Sequence, residues 1–232
     1  MPGEPAVLLV RIGSVPAAIE EKWKRWYTDV HIPARLTKPG FRGARLFAAY
    51  EGECKYLALY ELESVGALQS KAYLALRQQE ASLPADSFEA RAQELPGFAR
   101  GVYRQVFPDT PYAIPAAEYL FLVAHDVPPG REDEFNAWYD TEHVPAMLRV
   151  PGFLSARRFR MADPLPAASG KQSTSPRYLT LYDLADQDAV ECEQFLKDRE
   201  SPWSAWVRSW YTRRLRIKAR RISPLAARRA AA

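Results

Sequence analysis

Two stretches of the chain carry the same run of apolar and polar positions. Each begins with a short apolar segment bounded by turn residues, Val7 to Ile12 and Tyr119 to Ala124, which predicts a strand. A helical stripe comes next. Trp23, Trp26, Tyr27 and Val30 fall at i, i+3, i+4 and i+7, and Phe135, Trp138, Tyr139 and Glu142 do the same. That spacing assigns positions 30 and 142 to the buried face. Pro33 and Pro145 mark the predicted helix ends, because the residue before proline disfavours helix.

Second strands are predicted over 41–50 and 153–161, each opened by Pro-Gly-Phe. The third strands alternate. Tyr56, Ala58 and Tyr60 share one face against Leu57 and Leu59; Tyr178, Thr180 and Tyr182 share one against Leu179 and Leu181. Second helices are expected around 64–81 and 188–210, and closing strands around 101–107 and 214–222. The order is βαββαβ twice, the ferredoxin-like arrangement. In each half the helices need one face of the sheet, and the leucines are assigned to it. The tyrosines then point to the opposite face, with Arg45 and Arg157, and two such sheets would bury that face against each other.

The two copies also agree residue by residue. Trp26-Tyr27-Thr28-Asp29-Val30-His31-Ile32-Pro33 meets Trp138-Tyr139-Asp140-Thr141-Glu142-His143-Val144-Pro145 at an offset of 112, and Pro39-Gly40-Phe41 meets Pro151-Gly152-Phe153. Tyr56 to Tyr60 meets Tyr178 to Tyr182 at an offset of 122, so the second copy holds a ten-residue insertion, placed near 163–175. The organisation expected is a first repeat over 1–110, a linker over 111–115, a second repeat over 116–224 and a disordered basic tail over 225–232.

Composition narrows the function classes. The 232 residues are 47% hydrophobic and 26% charged, ordinary for a soluble globular protein. No long apolar segment or leader pattern is present, and the two cysteines, Cys54 and Cys192, are isolated, so a reduced, cytoplasmic protein without membrane contact is expected. The net charge of +4 is concentrated between Arg213 and Arg229, where eight basic residues meet no acidic one. Lacking interleaved aromatics, this segment reads as a solvated strand and tail, and nucleic-acid binding is disfavoured. Nucleotide loops, a nucleophile elbow and metal-ligand spacings are absent, so no cofactor and no metal are expected.

The pattern Trp-Tyr-x-x-x-His-x-Pro-x-x-Leu-x-x-Pro-Gly-Phe resembles the EthD-like branch of the dimeric α+β barrel superfamily, over nearly the whole chain. The resemblance implies ferredoxin-like units paired into a barrel, with a ligand held between sheet and helices. It leaves the reaction open, since related proteins include cyclases, isomerases, cofactor-free monooxygenases and haem enzymes. No residue here gives positive support for a haem ligand.

The candidate site centres on His143, with Glu142 and Asp140 as orienting carboxylates, since a carboxylate on a buried stripe needs a partner. A histidine beside a carboxylate suits acid–base work near neutral pH. The alternative is a helix-end histidine that merely fixes the turn. His31 is the counterpart, with Val30 and Thr28 replacing the carboxylates, so the first half is expected to be degenerate. Arg157, Arg45, Tyr178, Tyr182 and His125 are expected to line the ligand space, His125 sharing a face with Phe121 and Val123. The function expected is cofactor-independent isomerase, cyclase or lyase chemistry on a small aromatic or polyketide-like carbonyl compound. A cofactor-free monooxygenase and a non-catalytic binding barrel are the alternatives, and two fused chains could further pair as a homodimer.

Overall fold

The structure, a computed structural model, describes residues 4–109, 114, 116–163 and 175–227. The first half runs β1 (Ala6–Ile12), α1 (Ala17–Trp26), a π-helical turn (Tyr27–His31), α2 (Ile32–Leu36), β2 (Phe41–Glu51), β3 (Tyr56–Leu62), α3 (Lys71–Ala81), α4 (Phe88–Arg91) and β4 (Ala99–Phe107). The second runs β5 (Tyr119–Asp126), α5 (Glu132–Trp138), a π turn (Tyr139–His143), α6 (Val144–Met147), β6 (Phe153–Met161), β7 (Tyr178–Leu184), α7 (Glu193–Asp198), α8 (Pro202–Arg208) and β8 (Arg213–Arg221). Each half is βαββαβ in outline. The expected linker, apart from residue 114, and most of the inserted loop lie outside the described residues. The tail differs from expectation at its start: Ala226 and Ala227 form a ninth short strand, β9, on Ala44 and Gly43 of β2.

All strands are antiparallel. In each half the order is closing, first, third, second strand, and the halves join where β4 pairs β6 and β2 pairs β8. The eight long strands therefore close on themselves, which removes exposed sheet edges.

Closure gives each strand two buried faces, and the assignment of those faces is the reverse of the sequence expectation. Leu57, Leu59, Leu179 and Leu181 fill the barrel interior with Val7, Leu9, Leu120 and Ile217. Tyr56, Tyr60, Tyr178 and Tyr182 face outward under the helices. The hydroxyls of three of them explain the choice. Tyr56 donates to Glu20 (2.5 Å), Tyr178 donates to Glu132 (2.7 Å), and the hydroxyls of Tyr60 and Tyr27 lie 3.0 Å apart. All these partners belong to the motif helices, while the interior wall is mostly apolar and carries one ionic cluster. A buried phenol needs such a partner.

That cluster is ionic. Arg45 bonds Asp183, and Glu61 (3.2 Å); Arg157 bonds both oxygens of Glu61 (3.0 and 3.1 Å) and lies 3.6 Å from Asp183. The four side chains are almost wholly shut off from water. Two come from each half, and their formal charges cancel.

The repeated Pro-Gly-Phe has a backbone cause. Gly40 and Gly152 sit at φ of +84° and +90°, and a Cβ there would approach the Cβ of Ala67 or Ala189 to 2.5 or 2.8 Å. Only glycine suits both conditions.

The π turns correct a second expectation. In each, a backbone N–H, of Ile32 or Val144, reaches back five residues to Tyr27 or Tyr139. The wider turn delays the stripe by one residue. Val30 is thus 55% exposed, Glu142 is half-buried, and the inward position passes to His31 and His143. The helix also continues past the proline in both halves, because proline in the first turn of α2 or α6 forfeits no needed hydrogen bond.

Candidate functional site

Strand pairing sets the site's rear wall. Ile12 lies opposite Tyr56 as His125 lies opposite Tyr178, so His125 corresponds to Ile12, an offset of 113. At the motif's offset of 112, His125 would instead fall level with Gly13. In a strand one residue of slip exchanges the faces. His125 therefore faces the helices, not the barrel interior.

A cavity of about 290 Å³ lies between sheet and helices of the second half. From β5 it takes Phe121, Val123 and His125, from β7 Tyr182, and from β8 Arg216. The motif helix supplies Trp138, Tyr139, His143 and Met147; Phe195, Arg199, Arg208 and Tyr211 complete it. The volume is near the lower edge of small-molecule sites, about 300–1,000 Å³. It suits one or two fused rings. A larger recess of about 560 Å³, lined by Pro151, Asp188, Cys192 and Lys197 among others, is open to solvent and lacks convergent chemistry. Among the described residues no three His, Cys, Asp or Glu side chains are grouped to hold a metal ion.

His143 stacks on Trp138 with ring centres 4.5 Å apart and meets Tyr139 edge-on at 5.2 Å. Its Nδ1 is buried and finds no hydrogen-bond partner among the described residues. Burial, then the charges of Arg208 and Arg158, pull its pKa down to about 3. The imidazole is therefore neutral near pH 7. Tyr182 is pushed well above its ordinary value, first by burial and then by the neighbouring Tyr139. His125 is 2% exposed and lies against Tyr211 at 4.3 Å.

The predicted carboxylates are engaged elsewhere. Glu142 accepts from Ser201, the residue that caps α8, at 2.5 Å, and Asp140 pairs with Arg158. Neither lines the cavity or bonds the imidazole; Asp140 acts on His143 only by partly neutralising Arg158. Arg45 and Arg157 belong to the interior ion cluster, and Tyr178 reaches Glu132 at the helix start, outside the cavity wall. Of the residues expected from sequence, His143, His125 and Tyr182 do come together and the rest lie elsewhere. Arg199, Arg208 and Arg216 were not anticipated. Arg216 was visible only as part of a basic strand, although three of that strand's basic residues pair with carboxylates: Arg216 with Glu51, Lys218 with Glu51 and Glu191, Arg220 with Glu118.

In the first half the corresponding space is filled. His31 stacks between Trp26 (4.7 Å) and Tyr27 (4.5 Å), and burial followed by Arg35, Arg77 and Arg100 lowers its pKa strongly. Arg35 occupies the place of Met147. It is 3% exposed and gripped by both oxygens of Glu80 at 2.8 and 2.9 Å.

A closed barrel of two βαββαβ halves, with a cavity between sheet and helices, is the dimeric α+β barrel architecture. No protein-family model matches the sequence, and no curated protein matches it. Solved structures do. A candidate monooxygenase from Fusobacterium nucleatum superposes with a TM-score of 0.58 at 9% identity, over 100% of this chain and 98% of its own. An anthrone oxidase-like protein gives 0.58 at 13% identity, covering 99% and 96%. A chlorite dismutase from Candidatus Nitrospira defluvii, in complex with imidazole, gives 0.56 at 8% identity, covering 94% and 92%. These likenesses establish the fold. Among the described residues no helix is long and apolar enough to cross a membrane.

Proposed function

We propose that this chain is a cofactor-independent enzyme acting on a small, enolisable aromatic or polyketide-like carbonyl compound in the second-half cavity. The observation that carries this reading is His143: a neutral imidazole on the wall of a small aromatic cavity. A neutral imidazole takes a proton from carbon next to a carbonyl, leaving an enolate, and returns it at another position to complete an isomerisation or cyclisation. Its low basicity in the empty cavity is no bar, because an enolate formed beside it favours the imidazolium and raises its proton affinity. The nearby guanidiniums stabilise the enolate charge. Glu142 and Asp140 enter this scheme as supports of α8 and Arg158. The filled space around Arg35 favours the second half as the working one.

A second reading, cofactor-free oxygenation, draws support from the names of the Fusobacterium and anthrone oxidase-like structures. There the same deprotonation would precede attack by molecular oxygen; a ring methylene and O2 would become a carbonyl and water. The EthD-like resemblance fits either reading, as does further pairing of two chains.

The test is proton exchange. An aromatic ketone such as 2-tetralone in deuterated buffer should exchange its α-protons faster with the protein than without, and His143→Ala should remove the excess. Oxygen uptake with anthrone, without added flavin or metal, selects the second reading. Neither exchange nor uptake leaves the non-catalytic binding barrel.

A further inference from the structure

The charges around the cavity are arranged asymmetrically. Three guanidiniums, of Arg199, Arg208 and Arg216, line it, and among the described residues no carboxylate does. The arginines are paired, but their partners lie outward. Glu200 is 51% exposed against 30% for Arg208, and Glu51 is 43% exposed against 25% for Arg216. Water screens the carboxylate ends more than the guanidinium ends, so the field inside is positive. His143 reports the same sign, since after burial the influences on its proton are Arg208 and Arg158, with no carboxylate among them.

The first half offers an internal comparison. There Arg35, Arg77 and Arg100 surround His31, and strand register makes Arg100 the counterpart of Arg216. A carboxylate of the chain itself, Glu80, answers that charge by binding Arg35 and Arg77. The second half keeps the histidine and, as Arg216, the counterpart of Arg100, has Met147 where Arg35 stands, and leaves the space open.

We propose that the second-half cavity selects a planar aromatic monoanion, its acidic group taken by Arg199, Arg208 and Arg216 and its ring held among Trp138, Tyr139 and Phe195. This rests on the reading that the cavity is the working site, and it adds the charge of the ligand. Charge-assisted bonds from a guanidinium are about twice as strong as neutral ones, so the acid outcompetes its uncharged amide.

Calorimetric titration with 2-naphthoate and 2-naphthamide at pH 7.5 tests this on the full chain. The acid should bind at least about tenfold more tightly than the amide. The double variant Arg208→Gln, Arg216→Gln should bring the acid down to the amide's affinity and leave the amide unchanged. Met147→Trp, or Val123→Phe as a second filler, should abolish binding of both; melting curves confirm that each variant is folded. If acid and amide bind alike and both are lost on filling, the anion preference is wrong and the cavity stands. If filling changes nothing, or neither probe binds at millimolar concentration, both the preference and the site are wrong.

Discussion

Arg45 and Asp183 meet at the centre of the barrel, 138 residues apart in sequence and one from each half, both closed to water. Together with Glu61 and Arg157 they form an ionic cluster between two mainly apolar inner faces. Removing one member strands a buried charge. Asp183→Ala should cost about 3–5 kcal/mol in urea unfolding, whereas replacing all four residues by Met and Leu of matched volume should cost far less. Similar losses in both would show that these ions individually matter little.

The two motif histidines make stability depend on pH. His143 has a pKa of about 3 in the folded chain, and that of His31 is also strongly lowered. In the unfolded chain each is near 6.5, so below that value unfolding takes up protons that the native state refuses. Stability should fall from pH 7.5 to 5.5 by about 1.4 kcal/mol per histidine. His143→Asn should flatten the slope by one such step in denaturant titrations; an unchanged slope would mean that the imidazole titrates normally.

The same depression shapes kinetics. A pH profile of kcat/KM reports the free enzyme, so no inflection from His143 is expected between pH 5 and 8. The Arg208→Gln variant, which removes a neighbouring cation, should move the low-pH limb upward toward neutrality. His31→Ala should leave turnover largely intact, where His143→Ala abolishes it.

Gly40 and Gly152 should behave as a pair. Either one replaced by Ala must hold a positive φ and push on Ala67 or Ala189, at about 1–3 kcal/mol each. Because the two glycines sit in different halves and press on different alanines, the double variant should lose the sum. Thermal melts of the three proteins check this.

Much of this architecture could be read from the residues. The element order came from periodicity, and β6 even ran between the expected residues, Phe153 and Met161. Which face points where could not be read, because closure buries both sides of every strand. Tyr56 and Leu57 are then equally acceptable inside, and the decision rests on hydroxyl partners contributed by distant helices. The site was half legible. His143 is legible in its motif, but Glu142 follows from a 3.6-residue period that the π turn interrupts. Arg199 and Arg208 lie close only because the second helix breaks at Ser201-Pro202, and Arg216 lines the same cavity from β8.

The extra residue in the Tyr-x-x-x-His turn has a consequence for how such a site arises and fails. Ordinary helical winding over the same five residues would rotate the downstream residues by about 100°. The imidazole would then swing toward solvent and a neighbour would take its place on the wall. A one-residue deletion between Tyr139 and His143 would offset that rotation and return the imidazole to the wall, so length and winding compensate each other in this turn.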